Sequence, residues 1–302
     1  MAHHHHHHHH HDHSESSSQR IGWAFFLNLG FTIIEFIGGI LTNSTAILAD
    51  AVHDLGDSIA IGSAWVLNKL SGRDPSQRYT YGYQRLSLVG ALINAVILIA
   101  GSVWILMLAI PRLWQPQMPH AEGMLALAVL GIAINGYAAY KLSRGKTMNE
   151  RVLNWHLLED VLGWVAVLLV SIVLMFVDWP ILDPLLSIAF TLFILLNVVK
   201  SLSETIKLFV QAAPDESLTA AIHKALSELT EVADVHHLHV WSLDGERHVC
   251  TAHLALHGDY STSELRRLKT QVAERLEPFH LAHTTIEFEF PLEQCRDEHS
   301  HP

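Results

Sequence analysis

Apolar residues run along this chain in two different rhythms. Over the first two-thirds they form six long runs, at about 21–41, 45–67, 86–110, 124–142, 152–177 and 184–208. A helix that crosses a bilayer needs about 20 mostly apolar residues, so six transmembrane helices are predicted, and an even number returns both ends to one side. The N-terminus shows no small-residue cleavage site after a short apolar run, so the first run is expected to remain as structure. After Gln211 the rhythm shortens. Leu218, Ile222, Ala225, Leu226 and Leu229 keep helical spacing, 235–243 and 248–256 read as strands, Leu265, Leu268, Val272 and Leu276 are helical again, and 284–290 alternates. About 80 residues in the order α, β, β, α, β predict a small α+β sandwich with its helices on one sheet face. The chain therefore divides into a histidine-rich tail (1–19), a transmembrane domain (20–211), a soluble domain (212–291) and a short C-terminal tail (292–302).

Two interruptions of the apolar runs carry chemistry. His53 with Asp57, and His156 with Asp160, are copies of H-x-x-x-D. Residues four apart share one helix face, so each copy aims an imidazole and a carboxylate the same way inside hydrocarbon. An ionisable residue at the centre of a spanning helix costs roughly 2.5 to 3.5 kcal/mol and marks an ion or proton path. Two imidazole nitrogens and two carboxylate oxygens make a four-ligand set that suits tetrahedral Zn²⁺. Asp50, Asp54, Glu35 and Asn94 also lie within the spans, where they could hydrate a cavity, hold ligand histidines or simply pack. Gly38, Gly39 and Gly90 are expected to permit close helix contact. Asp183 before Pro184 reads as a helix start, with Asp183 as the N-cap of its own helix ahead of a proline at the first turn.

Charge gives the orientation. Lys69, Arg73, Arg78 and Arg85 lie between the second and third runs, and Lys141, Arg144, Lys146 and Arg151 between the fourth and fifth. The opposite connections are nearly bare, with Arg112 alone between the third and fourth runs. The positive-inside rule then puts both termini in the cytoplasm. Half of the 302 residues are hydrophobic and only 16% are charged, which is too apolar for an ordinary soluble enzyme. Of the net charge of −11, most sits after Gln211, where sixteen Asp and Glu face seven Lys and Arg. Such a field disfavours nucleic acid and favours divalent cations.

The soluble part holds its own candidates. In the last strand, alternation sends Ile286, Phe288 and Phe290 one way and His283, Thr285, Glu287 and Glu289 the other. Histidines are dense in the preceding strands, at His236, His237, His239, His248, His253 and His257. Cys250 and Cys295 are too few and too far apart for a structural zinc knot, and a cytosolic disulfide is not expected. The run His3 to His11, with Asp12 and His13, reads as a native weak metal collector or as a tag, and has nothing with which to build a fold.

The stretches E-F-I-G-G-I-L-T-N-S-T-A-I-L-A-D-A-V-H-D-L-G-D (35–57), Y-G-Y-Q-R-L (81–86), N-W-H-L-L-E-D-V-L-G (154–163) and V-H-H-L-H-V-W-S-L (235–243) resemble the cation diffusion facilitator family, close to its bacterial zinc-exporting members. The resemblance covers about 20–290. It implies a homodimeric, proton-coupled zinc exporter of the bacterial inner membrane, with lipid around its six helices and a cytosolic ferredoxin-like domain. Its transport ligands fall on His53, Asp57, His156 and Asp160, and histidine rather than aspartate at 53 favours zinc. In the soluble domain its metal ligands fall on His236, His253, His283 and either Glu287 or Glu289. The loop G-R-D-P-S-Q-R-Y-T-Y-G-Y offers only Asp74 toward the further site that some relatives carry there, so that site is not expected.

The ligands imply a mechanism. Zn²⁺ needs neutral imidazole and ionised carboxylate, so its binding expels protons and protonation expels the metal; H⁺ is the expected counter-ion, and rocking of the ligand-bearing helices gives access to alternate faces. Two other classes compete. An intramembrane zinc hydrolase would need an open coordination position and a general base, usually as H-E-x-x-H, which this sequence lacks. A membrane-anchored metal sensor would explain the soluble domain but not four buried ionisable ligands.

Overall fold

The computed structural model describes residues 11–71, 75–142 and 148–297, with backbone alone along 11–21, 23–24, 64–65, 67–71, 142 and 148–156. The histidine run at 3–10, Arg73, Asp74, Arg144, Lys146 and the end of the chain lie outside the described residues. So do the side chains of His11, His13, Lys69, Arg151 and His156. Two compact units share the chain: one holds nearly all of the long helices, the other Pro75–Leu88 and the chain from Ser203 onward.

The helical unit follows the long apolar runs. Its helices are α1 (His11–Thr42), α2 (Thr45–Ser71), α3 (Leu86–Ala109), α4 (Ala121–Leu142), α5 (Met148–Phe176) and α6 (Leu182–Phe209). Among the described residues, five segments are long and apolar enough to cross a membrane: Phe25–Thr42, Leu86–Leu113, Ala121–Lys141, Leu157–Phe176 and Leu182–Phe209. At 27 residues, α2 is of comparable length, about 40 Å at the α-helical rise, but carries Asp50, Asp54 and Asp57 in its first half. Large apolar side chains such as Ile37, Val96, Val103, Leu162, Leu169 and Leu196 are exposed on the helices. A helix packed in lipid keeps such a surface, because hydrocarbon is its solvent.

Packing inside this unit relies on glycine at helix contacts. A Cβ on Gly131 of α4 would lie 2.3 Å from the indole of Trp164 on α5, and one on Gly38 of α1 would lie 2.5 Å from Leu127 on α4. Trp164 is fully buried, in a cluster with Phe31, Ile47, Met124, Ala128, Val167 and Leu174.

The turns α1–α2, α3–α4 and α5–α6 meet at one end of the unit, which is what alternating spans require. Asn43 takes a left-handed conformation, φ 54°, to end α1. Arg112 donates to its carbonyl at 2.7 Å and to its side-chain oxygen at 2.7 Å. Arg112 thus clamps the α1–α2 turn. Asp183 departs from the sequence expectation. It sits inside the first turn of α6 and serves another helix: its carboxylate accepts from Ser44 Oγ (2.5 Å), Thr45 N–H (2.7 Å), Thr45 Oγ1 (2.7 Å) and Ala46 N–H (3.2 Å). Ser44 in turn accepts from Ile47 N–H at 3.2 Å. The first orphan amides of α2 are therefore satisfied by a buried anion at the positive end of its dipole.

The second unit contains α7 (Glu216–Ser227), β1 (Val232–Ser242), β2 (His248–Leu256), α8 (Thr262–Leu276) and β3 (His283–Glu289). Its sheet runs β1-β2-β3, with β1 antiparallel and β3 parallel to the central β2; the parallel pair needs a long crossover, supplied by α8. Asp215 caps α7 through Ser217 N–H, and Ser261 with Glu264 forms a capping box on α8. One sheet face buries Val235, Val240, Cys250, Ala252 and Leu254 against Ile222, Leu226, Leu268, Val272 and Leu276 of the two helices, and Ile286, Phe288 and Phe290 pack on the same core. Leu229 stays buried although α7 ends before it.

Candidate metal centres

Within the helical unit, α2 presents His53 and Asp57 to α5, which presents Asp160. Their ligand atoms lie within 4.8 Å of one another, with His53 Nε2 3.5 Å from Asp57 Oδ2. Asp160 is buried, while His53 and Asp57 are partly open, so the group has a closed side and an accessible one. Phe190 stands edge-on to the His53 ring at 6.1 Å, an apolar wall that sharpens electrostatics nearby. His156 lies one turn before Asp160 on α5, the spacing that places it on the same helix face.

The other acidic residues of the spans are also inside the unit. Glu35, Asp50 and Asp54 are buried. A Cβ on Gly163, three residues after Asp160, would sit 3.7 Å from Asp50 Oδ1, so Asp50 faces α5 about one turn along from the ligand group. Asn28 donates to the Asp54 carbonyl and to Ser58 Oγ, each at 3.1 Å, which ties α1 to α2 beside the group. So many carboxylates buried close together require cations or protons among them.

In the second unit, the sheet face turned away from the helices gathers histidines. His236 and His253 pair across β1 and β2, and Glu287 faces His253 from β3. Glu289 bridges the two imidazoles, at 2.9 Å from His236 Nε2 and 2.8 Å from His253 Nδ1, while Asp234 lies 3.1 Å from His236 Nδ1. Burial works to raise the Glu289 pKa, but hydrogen bonds from Cys295 and His253 and the charges of His236 and His253 outweigh it and hold the carboxyl below its usual range. Of the glutamates left open by the sequence, Glu289 is therefore the one in contact with both histidines. Glu287 stands 3.8 Å from His253 Nε2 and pairs with Arg296.

His283 does not join this group. The register pairs it with Val249, four residues before Glu287 along the strand, and its ring stands edge-on to Tyr81 at 5.8 Å. A strand rises about 3.3 Å per residue, so the expectation of His283 as a fourth ligand fails on distance. Two residues outside that expected set take its place: the ligand atoms of His236, His237, His253 and Cys295 lie within 4.8 Å of one another. Simple alternation would put His237 on the face opposite His236. A bulge prevents this: three steps from His236 to His239 on β1 match two from His253 to Thr251 on β2, and His237 takes φ 47°. The extra residue keeps His237 outward and returns Leu238 and Val240 to the core. Cys295 comes from beyond β3, where a turn closed by Glu293 N–H to the Phe290 carbonyl (3.0 Å) and Phe290 N–H to the Glu293 carboxylate (2.9 Å) reverses the chain. Its Sγ ends 3.6 Å from His253 Nδ1.

An apolar helical unit with imidazole and carboxylates converging inside it, joined to an α+β unit with histidines on its open sheet face, defines a membrane protein built to handle metal cations. Residues 23–210 match the family model of the cation efflux transmembrane domain, and 214–290 that of the cation efflux protein cytoplasmic domain. The chain belongs to the cation efflux family, whose members are membrane cation transporters and not enzymes. It is similar to the zinc transporter ZitB of Pectobacterium atrosepticum, 33% identical over 288 residues that span 94% of this chain and 88% of that protein. It is 31% identical to the zinc transporter ZitB of Escherichia coli, over 96% and 93% of the two chains. It is 28% identical to the cadmium, cobalt and zinc/H(+)-K(+) antiporter of Bacillus subtilis, over 92% and 95%.

Proposed function

We propose that this protein is a zinc/proton antiporter that exports Zn²⁺ from the bacterial cytoplasm across the inner membrane. The observation that carries the reading is the convergence of His53, Asp57 and Asp160 from α2 and α5, with His156 one turn from Asp160. These four residues are the proposed transport ligands, two nitrogens and two oxygens in the tetrahedral set that Zn²⁺ accepts. Relatives named as zinc transporters, and one named as a zinc/H(+)-K(+) antiporter, support the substrate and the counter-ion. In this reading α2 is the sixth span, kept in the membrane by packing against α1 and α5 in spite of its carboxylates. Both termini then face the cytoplasm, in line with the bare Arg112 end and the basic loops opposite. The domain limits follow the change of composition after Gln211, and the soluble unit dimerises the chain.

The residues perform the exchange by proton linkage. Zn²⁺ takes the lone pairs of neutral imidazoles and the charge of ionised carboxylates, so its entry from the cytoplasm releases protons from the site. Protons arriving from the opposite side reload the same groups and expel the ion. A single site exposed alternately to the two faces is sufficient. The test is reconstitution in liposomes with an imposed pH gradient. Zinc should move with counterflowing protons, Asp160→Ala should abolish movement while the protein stays folded and inserted, and near-normal movement in Asp160→Ala vesicles would overturn the assignment.

A further inference from the structure

The sheet face of the second unit carries a ligand that no N/O metal site needs. We propose that His236, His237, His253 and Cys295 form a mixed imidazole–thiolate site for a borderline-soft divalent cation, and that the ion fastens the segment after β3 onto the sheet. The proposal rests on the reading of this face as a metal site, and adds to it a sulfur ligand and a structural consequence.

The geometry points to it from three directions. Tetrahedral bonds of about 2.0 Å to nitrogen and 2.3 Å to sulfur place neighbouring ligand atoms roughly 3.3 to 3.5 Å apart, and the four atoms here already lie within 4.8 Å. Rotamer adjustments close the difference. The bulge at His237 turns outward a ring that regular alternation would bury, and such re-aiming is the common service of a bulge beside a site. The turn at Phe290–Glu293 does the same for the tail, because a chain that left β3 straight would carry Cys295 away from His253. Glu289 completes the arrangement: its carboxylate holds both His236 and His253, the outer-shell partner that fixes ring orientation in imidazole sites.

The ligand set has a chemical signature distinct from the transport group. Thiolate selects zinc, cadmium and similar ions over magnesium, calcium or manganese, and only thiolate gives a near-ultraviolet charge-transfer band with cobalt. Cys250 cannot supply it, since it is fully buried in the core on the opposite, helix-facing side of the sheet. Co²⁺ added to the full-length protein in detergent should give tetrahedral visible bands together with that charge-transfer band. Cys295→Ser should remove the charge-transfer band, His237→Ala should weaken it, and Cys250→Ala should keep it. In parallel, Zn²⁺ should slow maleimide alkylation of Cys295 by about tenfold or more, because a metal-bound thiolate is withdrawn from attack, and His253→Ala should cancel that protection. Visible bands from this face without charge transfer would mean that the ion is held by nitrogen and oxygen alone, overturning the thiolate site and leaving the face as a metal site. Bands that vanish entirely with Asp160→Ala would mean that the face binds no metal at all.

Discussion

Replacing Asp183 by asparagine should destabilise the helical unit although the residue touches no proposed ligand. The carboxylate receives four donors, two on each oxygen, from Ser44, Thr45 and Ala46. An amide has one acceptor oxygen, so whichever way the substituted side chain turns, two donors face an NH₂ group. Each hydrogen bond to a charged group is worth about 1.5 to 3 kcal/mol, so the loss of two comes to roughly 3 to 6 kcal/mol, with a smaller part from the lost charge at the α2 N-terminus. For a unit of this size each kcal/mol moves the thermal midpoint by about 2 to 4 °C, which gives a fall of roughly 10 °C. The assay is thermal unfolding of full-length protein in detergent, followed by a fluorophore on a buried cysteine introduced away from the turn. Asp178→Asn, at an exposed position of the α5–α6 turn, is the control and should not move. Ser44→Ala, which removes a single donor and the cap of Ile47, should fall between the two. A midpoint within about 2 °C of the control would refute the claim that Asp183 anchors α2.

Selectivity should respond to His53. The His53→Asp change replaces an imidazole with a harder, negative ligand, so the preference for zinc over larger or harder divalent ions should relax and vesicles should admit more of the larger cadmium ion relative to zinc; an unchanged ratio would move the selectivity filter elsewhere. Acid should weaken the α+β unit through the carboxylates of its helix caps and of the β1–β2 turn. Burial works to raise the Asp244 pKa, but backbone and side-chain hydrogen bonds from Arg247 and Glu246 N–H prevail and hold it below the ordinary value, and hydrogen bonds from Ser217 and Ser261 lower Asp215 and Glu264. A carboxyl whose folded pKa is depressed stabilises the fold above its unfolded pKa and loses that contribution as the pH falls through the folded value. The midpoint of a fragment from Ala212 onward should therefore drop below about pH 4, near the unfolded Asp and Glu values, and Asp244→Asn should flatten the slope. Greater stability on acidification would contradict the sign.

Much of this architecture was legible because membrane and core burial write themselves as hydrophobic rhythm. The long helices and the α, β, β, α, β order follow from periods that a single sequence displays, and the four-residue spacing of His53 with Asp57 dictates a shared face without any structure. What escaped was set by interruptions of rhythm. Nothing in V-H-H-L-H-V marks an extra residue between His236 and His239, so alternation sends His237 to the wrong face. The return of Cys295 depends on a turn after β3, and its distance from the strands in sequence hides its proximity in space. His283 sits on the expected face but at the wrong height, a register that β3 acquires only by pairing with β2. Asp183 looked like the cap of its own helix because sequence shows the neighbour along the chain, not the helix across the turn.

The left-handed backbone at His237 has a cost that falls on no other ligand. A bulky L-residue held at φ 47° carries strain on the order of 1 to 3 kcal/mol, which glycine would relieve. At this one position, the pressures on folding and on metal chemistry point in opposite directions. A lineage, or a laboratory campaign, selecting only for thermal robustness would trade the imidazole away and be rewarded for it, and the loss would go unnoticed until zinc became scarce or abundant. The persistence of histidine or its replacement by glycine at the bulge is therefore a record, readable in any set of related chains, of whether this face has been kept for binding metal.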